Sequence, residues 1–192
     1  MYLLIFGLLL FLGAHSLGMS AAGWRERLIA QFGEKLWKGL FALLSIIGFV
    51  FIVIGFGIAR RHPVLLYVPP VWARHLNALF TLVAFVLVAA AYVPRNHIKA
   101  KLGHPMLAGT TVWAFGHLLA TGMLHDVVLF GPFLLWALAD FHLSRRRDRL
   151  AGVVYPPATI TGDAIALLTG VAAWAVFAAV LHVWLIGVNP LV

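Results

Sequence analysis

The sequence predicts an all-α integral membrane protein, a bundle of about six transmembrane helices. Hydrophobic residues make up 63% of the chain and charged residues only 10%, with a mean hydropathy of +1.00. Soluble domains, by contrast, carry charge on about a quarter of their residues. The net charge of +8 comes from basic residues in the short turns between apolar runs. This pattern is typical of membrane topology and argues against a nucleic-acid partner.

The first three predicted spans each approach the roughly 20 helical residues that cross a hydrocarbon core of about 30 Å. The first lacks a basic leading segment and a small-residue cleavage signature, so we interpret it as a retained helix and not as a signal peptide. Pro69-Pro70 cannot continue a helix and precedes Trp72, which suits interfacial depth, so the third span begins there. The three spans lie near residues 2–19, 38–58 and 73–92.

The other three predicted spans lie near residues 105–122, 124–143 and 164–186. Little more than Gly122 to Asp126 separates the fourth span from the fifth, which predicts a tight helical hairpin. Tyr155-Pro156-Pro157 stops the chain from continuing as a helix before the sixth span. We expect all the spans to form one domain over residues 1–192.

Lysine and arginine predict how the helices are oriented. Eleven of the 14 fall in the loops after the first, third and fifth spans, whereas Arg60, Arg61 and Arg74 fall on the opposite side. By the positive-inside rule the larger set faces the cytoplasm, so both termini lie on the non-cytoplasmic side. The Arg145–Arg149 cluster belongs to this signal, and binding of anionic lipid or of a partner is its alternative interpretation.

Histidine is the main candidate for buried reactive chemistry. All six acidic residues fall in predicted loops or near predicted helix ends, and the chain has no cysteine. This composition disfavours a non-haem iron site of two histidines and one carboxylate, a zinc hydrolase and thiolate chemistry. Deep histidines without another buried reactive group favour a bound cofactor that carries the chemistry. No catalytic residue can be named from the sequence.

Two histidines, His15 and His117, occupy the same local pattern in the first and fourth spans. Each lies at offset 8 of a stripe that has small residues at offsets 0, 7 and 11 and an aromatic ring at offset 4. Such offsets share one helical face, and histidines on facing helices can be the axial ligands of a haem. For the small residues alone, an ordinary helix-packing seam is the favoured alternative. The stripes are Gly7, Phe11, Ala14 and Gly18, and Gly109, Trp113, Gly116 and Ala120.

Depth in the membrane agrees with this pairing. Each histidine lies about 13 residues into its span, about 20 Å from the start, and the two helices run in opposite directions. In a core of about 30 Å both imidazoles would then lie near the midplane, within reach of one iron if the macrocycle tilts. The repeated pattern also suggests that the six spans form a 3+3 inverted repeat.

The remaining histidines give weaker signals. His75 opens the third span, where it is either an interfacial residue or, together with Arg74, a partner for a haem propionate or a substrate. His104 is expected to cap the fourth helix or to contact a bound headgroup. We interpret His125, His142 and His182 as snorkelling or hydrogen-bonded side chains, and His62 and His97 as loop residues.

Several short segments occur in an order that is typical of one family. They are Gly13-Ala14-His15-Ser16, Pro69-Pro70-x-Trp72-x-Arg74-His75, Ala90-Ala91-Tyr92, the run from His104 to Gly122, and Leu129-Phe130-Gly131. Together they resemble the NnrU proteins over nearly the whole chain. That family includes bacterial proteins associated with nitrite and nitric oxide reduction during denitrification, and it is similar to 15-cis-zeta-carotene isomerase, a membrane enzyme that contains haem b.

The resemblance implies a haem b protein of the bacterial inner membrane with His15 and His117 as axial ligands. Its implied function is handling of an apolar polyene by cis-trans isomerisation, or a role in nitric oxide or nitrite metabolism. The isomerase's redox-switch proposal involves a cysteine three residues before the second ligand. Here that position is Ala114, so thiolate exchange does not carry over.

Two other functions stay open. His104-Pro105-x-x-x-Gly109 resembles an element of isoprenylcysteine-type membrane methyltransferases, which bind S-adenosylmethionine at the cytoplasmic face. Those enzymes usually add a glutamate in the final cytoplasmic segment, whereas no acidic residue follows Asp163 here. The other alternative is a non-enzymatic assembly factor for a membrane nitric oxide or nitrite reductase.

Overall fold

A computed structural model describes residues 1–20 and 22–191 of the chain. It is 81% helical, and no strand occurs in the described ranges, which confirms the all-α class. The helices are α1 (Tyr2–Ser20), α2 (Ala22–Phe32), α3 (Glu34–Ala59), α4 (Trp72–Tyr92), α5 (His97–Leu102), α6 (Pro105–Ala120), α7 (Leu124–Ala151) and α8 (Ile160–Val176), then a π-helical turn (Phe177–Leu181) and α9 (His182–Ile186).

Within the described residues, four helical segments are long and apolar enough to cross a membrane. They are Glu34–Ala59, Trp72–Tyr92, Leu124–Ala151 and Ile160–Ile186, and they coincide with the second, third, fifth and sixth predicted spans. The first predicted span is α1, where the apolar segment is Tyr2–Leu17. The fourth is α6, whose 16 residues measure about 24 Å at about 1.5 Å per residue, less than a hydrocarbon core of about 30 Å.

The predicted hairpin between the fourth and fifth spans is confirmed. α6 ends because Thr121 is extended, with φ −125° and ψ 136°, and α7 begins at Leu124. Gly122 lies so close to the backbone of Tyr67 that no side chain would fit there. The Tyr67 amide in turn donates to the carbonyl oxygen of Gly122 at 3.3 Å.

Helix α7 is longer than the sequence predicts because its polar end remains helical to Ala151. The Ser144 hydroxyl donates to Asp140 Oδ1, one turn earlier, at 2.9 Å. Arg147 Nη2 donates to the Ser144 hydroxyl at 2.7 Å and lies 3.6 Å from Asp140 Oδ1. Contacts between residues three or four positions apart stabilise a helix. Asp140 therefore lies inside α7, although the sequence suggested a position near a helix end.

The chain divides into two compact units, and unit 1 comprises Met1–Leu66 and Met123–Pro132. In unit 1, α1 packs antiparallel to α3 with backbone against backbone. A Cβ at Gly7 would lie 2.6 Å from the amide nitrogen of Ile52, and one at Gly48 would lie 2.8 Å from that of Phe11. Small residues permit this close approach because they lack the side chains that would hold two helices apart.

Unit 2 comprises Tyr67–Gly122 and Phe133–Val192, and α4 lies between α6 and α8. A Cβ at Gly109 would lie 3.0 Å from the carbonyl oxygen of Ala84, and one at Gly170 would lie 2.5 Å from Cα of Val86. Asn96 follows α4, where its amide Nδ2 donates to the carbonyls of Ala90 and Val93, at 2.9 and 2.6 Å. This buried asparagine fixes the turn into α5.

Candidate functional site

His15 is a half-buried residue of α1 in unit 1, and its imidazole is oriented by its own helix. Nδ1 lies 2.8 Å from the carbonyl oxygen of Phe11, one turn earlier. Because a carbonyl can only accept, Nδ1 carries the proton and donates. The imidazole ring lies 4.3 Å from the Phe11 ring and 5.0 Å from the Phe41 ring, between ring centroids.

His117 has the same local geometry on α6 in unit 2. Its Nδ1 donates to the carbonyl oxygen of Trp113, one turn earlier, again at 2.8 Å. The ring centroids of His117 and Trp113 are 5.4 Å apart. His117 lies in the last turn of α6, so it is closer to a helix end than the sequence suggested.

This geometry determines which nitrogen of each imidazole can bind a metal. When a neutral histidine donates through Nδ1, the lone pair resides on Nε2. Metal-binding histidines commonly show this arrangement, in which the remote N–H is held by a backbone carbonyl and the other nitrogen is the ligand atom. His15 and His117 therefore share one tautomer, in which Nδ1 carries the proton and the lone pair is on Nε2.

An apolar cavity of about 300 Å³ lies beside His15 in unit 1. Phe41, which contacts the imidazole, is one of its walls. The cavity is formed where α1, α2 and the first turns of α3 meet, so α2 completes a compartment that two helices alone would leave open. Its lining residues are Ala14, Leu17, Trp24, Leu28, Phe32, Leu36, Trp37, Leu40, Phe41 and Leu44.

Small residues flank both histidines, and the structure shows what fills the space beside them. Gly116 contacts α4, because a Cβ there would lie 2.5 Å from Asn77 Oδ1 and 2.9 Å from Cβ of Phe80. Gly7 and Gly109 also pack against neighbouring helices. At these three glycines the packing alternative is the better description. Ala14 is buried and lines the cavity, whereas the surroundings of Gly18 lie outside the described residues.

Asn77 is a polar residue of this site that sequence reasoning missed. Its Oδ1 is buried, and no hydrogen-bond donor in the described parts of the chain reaches it. The available signal was a carboxamide within an otherwise apolar span. Its position against Gly116 could not be read from the sequence, because it depends on the register between α4 and α6.

His182 is hydrogen-bonded, which agrees with one of the two interpretations drawn from the sequence. Its Nδ1 donates to the carbonyl oxygen of Val188 at 2.7 Å, and its ring centroid lies 5.9 Å from that of Phe177. A π-helical turn, Phe177–Leu181, directly precedes His182.

His104 does not cap α6 with its side chain, contrary to one expectation. Its Nε2 lies 2.9 Å from Asp148 Oδ2, and the Tyr155 hydroxyl donates to the same oxygen at 2.6 Å. Burial, together with the hydrogen bond to Asp148, raises the pKa of the Tyr155 phenol to about 12. The resulting cluster of three side chains ties the start of α6 to the end of α7 and to the segment that follows it.

The other predicted contacts are dispersed. Arg74 and His75 are exposed in the first turn of α4, and neither side chain has a hydrogen-bond or ion-pair partner among the described residues. His125 is only 6% exposed and lies 5.3 Å from the ring of Phe56, so the snorkelling interpretation is wrong for this residue. No group of three or more His, Cys, Asp or Glu side chains gathers as a metal site in the part of the chain that the structure describes.

The comparison with known families gives a match over nearly the whole chain. A family model described as NnrU protein matches residues 3–190. The chain belongs to the NnrU family. The resemblance predicted from the short motifs is thereby confirmed over nearly the whole chain. No curated protein and no solved structure matches it.

The element His104-Pro105-x-x-x-Gly109, which also resembles a methyltransferase element, has a structural role in this protein. In this NnrU protein Pro105 is fully buried at the first position of α6. Gly109 contacts α4, and His104 contacts Asp148. Each residue of the element therefore has a structural contact, so the element gives the methyltransferase interpretation no independent support.

Proposed function

We propose that this NnrU protein is a multi-pass membrane protein that binds haem b, with His15 and His117 as axial ligands. The observation that carries the proposal is their shared geometry, in which each Nδ1–H donates to the carbonyl four residues earlier at 2.8 Å. Two residues related by sequence pattern alone have the same tautomer and the same kind of aromatic neighbour. This leaves Nε2 of each as the nitrogen suited to iron.

The surrounding residues fit a large, mostly apolar macrocycle. The cavity beside His15 has walls of Ala, Leu, Phe and Trp side chains, and Trp113 flanks His117. We assign Ala14, which lines the cavity, and Gly116, which packs against α4 directly before His117, to the surroundings of the macrocycle. We propose Arg74 and His75, together in the first turn of α4, as partners for a haem propionate or a substrate, and His104, beyond the other end of α4, as a contact for a bound headgroup.

Haem b, when bound, supplies a redox-active iron. The chain's own part is to hold that iron through two imidazoles whose Nδ1 protons are fixed by backbone carbonyls. Apolar walls also exclude water from the site. An apolar polyene, or a diatomic gas such as nitric oxide, would reach the site from within the bilayer. An assembly role for a partner membrane reductase would use the same haem without a substrate.

We further propose the topology that this function needs. α1 and α6 join the four long helices as membrane spans, which gives six spans in a 3+3 inverted repeat. The distribution of basic residues supports an orientation in the bacterial inner membrane with both termini on the non-cytoplasmic side. Cysteine accessibility at introduced sites in the two termini would test this orientation.

The test of haem binding is spectroscopic. The protein is expressed with ample haem, purified in detergent, and its absorption is recorded with and without dithionite. We expect a Soret band that shifts on reduction in the wild type and in the exposed-loop control His62→Ala. His15→Ala and His117→Ala should each lose most of that absorbance. A wild type without a Soret band, or two alanine variants with unchanged spectra, would overturn the proposal.

A further inference from the structure

Basic side chains gather at the end of unit 2 where α4 and α7 finish and where α6 and α8 begin. They belong to the turn around α5 and to the last turns of α7, and we call this region the basic end of unit 2. Unit 2 contains only three acidic residues. The seven basic residues are Arg95, Lys99, Lys101, Arg145, Arg146, Arg147 and Arg149.

The three carboxylates of unit 2 are already engaged by other groups. Asp140 pairs with Arg147 at 3.6 Å, and Asp148 is the acceptor in the three-residue cluster at the start of α6. Asp163 accepts from the His97 amide at 2.7 Å and lies 2.6 Å from Nδ1 of the same residue. Six of the seven basic side chains therefore have no carboxylate in ion-pair contact within the described ranges.

Three of these six cations are held in place by neutral backbone carbonyls. Arg145 Nη1 donates to the carbonyl oxygen of Lys101 at 2.7 Å. Arg95 Nε donates to that of Pro157 at 3.3 Å, and Lys99 Nζ donates at 2.7 Å to a carbonyl in the last turn of α4. A topology signal requires only that basic residues lie in a loop. Cations that are fixed by hydrogen bonds and lack a counter-charge are instead preorganised for an anion.

Large apolar side chains are exposed among these basic residues. Leu150, which directly follows Arg149, is 79% exposed, and Val154 and Ile160 are 89% and 83% exposed. A free anion or a nucleic acid would leave such side chains uncovered, whereas a phospholipid offers a phosphate for the basic groups and acyl chains for the apolar ones. The basic end of unit 2 therefore has the chemistry of a lipid contact.

We propose that the basic end of unit 2 binds an anionic phospholipid, whose phosphate contacts Arg145 and Lys101 and whose acyl chains contact Leu150. The Arg145 guanidinium uses one N–H for the carbonyl of residue 101 and keeps others for phosphate oxygens. Basic pockets between membrane helices are known lipid-headgroup sites. This inference gives a chemical class to the headgroup proposed as a contact of His104, and it does not depend on haem.

The test compares two lipids that differ in headgroup charge. Phosphatidylglycerol and phosphatidylcholine with the same acyl chains are titrated against the wild-type protein in a neutral detergent, and bound lipid is counted by native mass spectrometry. We expect phosphatidylglycerol to bind about 25-fold more tightly, which corresponds to two basic side chains at about fivefold each. Raising the salt concentration should reduce this ratio, because ions screen the contact.

Lys101→Ala is the decisive variant, because Arg145 bonds to the backbone carbonyl of residue 101 and keeps that contact. We expect it to lower the affinity ratio to about fivefold. The matched control is Lys35→Ala in the first turn of α3, where the side chain is also exposed and has no ion-pair partner among the described residues. The control should keep the wild-type ratio. Leu150→Ser should weaken both lipids alike and leave the ratio unchanged.

Several results would overturn the lipid site. One is equal affinity of the wild type for the two lipids, and another is a ratio that Lys35→Ala lowers as much as Lys101→Ala, since the charge would then act diffusely. Displacement of phosphatidylglycerol by inorganic phosphate, but not by chloride at equal ionic strength, would identify a site for a free anion. None of these results bears on haem, which the Soret band reports separately.

Discussion

Two helix pairs share the same spacing of small residues but make different contacts through it. They are α1 and α3 of unit 1, and α6 and α4 of unit 2. In unit 1 the contact is backbone against backbone, with Gly7 close to Ile52 and Gly48 close to Phe11. In unit 2 Gly109, the counterpart of Gly7, meets the carbonyl oxygen of Ala84, whereas Gly116 meets the side chains of Asn77 and Phe80. Small residues permit close approach in both pairs, and the pairs differ in that Gly116 faces side chains and Gly7 faces backbone.

The two histidines have the same immediate geometry but different wider surroundings. Both donate from Nδ1 to a carbonyl one turn earlier at 2.8 Å. Beyond that, the Phe41 ring that contacts His15 also lines an apolar cavity, whereas Gly116, next to His117, packs against the carboxamide of Asn77. The local geometry of the two histidines is therefore the same, and their neighbours differ between the units.

The largest expected effect separates the two kinds of glycine contact. Gly7→Ala places a methyl group 2.6 Å from a backbone nitrogen, so α1 and α3 must move apart, and we expect a loss of about 3 kcal/mol, the upper part of the usual range for overpacking. Gly116→Ala should cost less, about 1–2 kcal/mol, because side chains of Asn77 and Phe80 can rotate away. Unfolding in mixed micelles, followed by circular dichroism, measures both.

The matched control for these variants is Gly57→Ala in α3, where nothing lies within 4 Å of the new methyl group. We expect no loss there, and a gain of up to about 1 kcal/mol from the better helix propensity of alanine. A Gly116→Ala variant less stable than Gly7→Ala would contradict the distinction between backbone and side-chain contact.

A smaller effect tests whether unit 1 has its own counterpart of Asn77. The contacts of Leu4 with Gly55 and of Phe11 with Gly48 define the antiparallel register, and one further turn brings Ser45 opposite Ala14. The Ser45 hydroxyl is buried and has no hydrogen-bond partner in the described ranges. We expect Ser45→Ala to be neutral or to stabilise the protein by about 1 kcal/mol.

The Ser45 hydroxyl and the Asn77 carboxamide oxygen lie at corresponding places in the two helix pairs, so the stabilities of their alanine variants can be compared directly. Asn77→Ala should likewise be neutral or slightly stabilising, because its buried Oδ1 also makes no hydrogen bond. A loss of about 1 kcal/mol or more in either variant, measured by unfolding in mixed micelles, would contradict this expectation.

Much of the fold follows from hydropathy, since apolar runs reveal long helices whatever their neighbours are. The hairpin after Ala120 and the start of α4 at Trp72 were predictable because glycine and proline act locally on the backbone. The extension of α7 to Ala151 was not, because it depends on polar contacts around Ser144 that hydropathy does not register. Helix α2 was also missed, since its charged residues Arg25, Glu26 and Arg27 have the composition of a loop.

The same distinction between local sequence signals and tertiary contacts applies to the candidate site. His15 and His117 were found because their spacing within a helix is a property of the sequence alone. Asn77 and the contact between His104 and Asp148 were not found, because they depend on how separate helices are aligned. The sequence offers the residue types, but the side-chain partners follow from tertiary packing.

The smallest expected effect concerns polar contacts outside the apolar helix faces. In unit 1, Glu34 and Lys38 form an exposed ion pair at 2.9 Å, with exposed side-chain fractions of 61% and 71%, and solvent screens such pairs. In unit 2, Asp148 accepts from the half-buried Tyr155, whose pKa is raised to about 12 by burial and by this hydrogen bond. Because the folded protein holds the phenolic proton more tightly than the unfolded chain, this contribution to stability is complete below about pH 10 and is lost as the pH rises towards 12.

Absorbance at 295 nm should show one of the four tyrosines ionising late. Tyr155→Phe should remove that late phase, and Asp148→Asn should move it to lower pH, whereas Glu34→Gln should leave it in place. A single transition near pH 10 in the wild type would mean that Asp148 is as well solvated as Glu34, and the contrast between the two contacts would disappear.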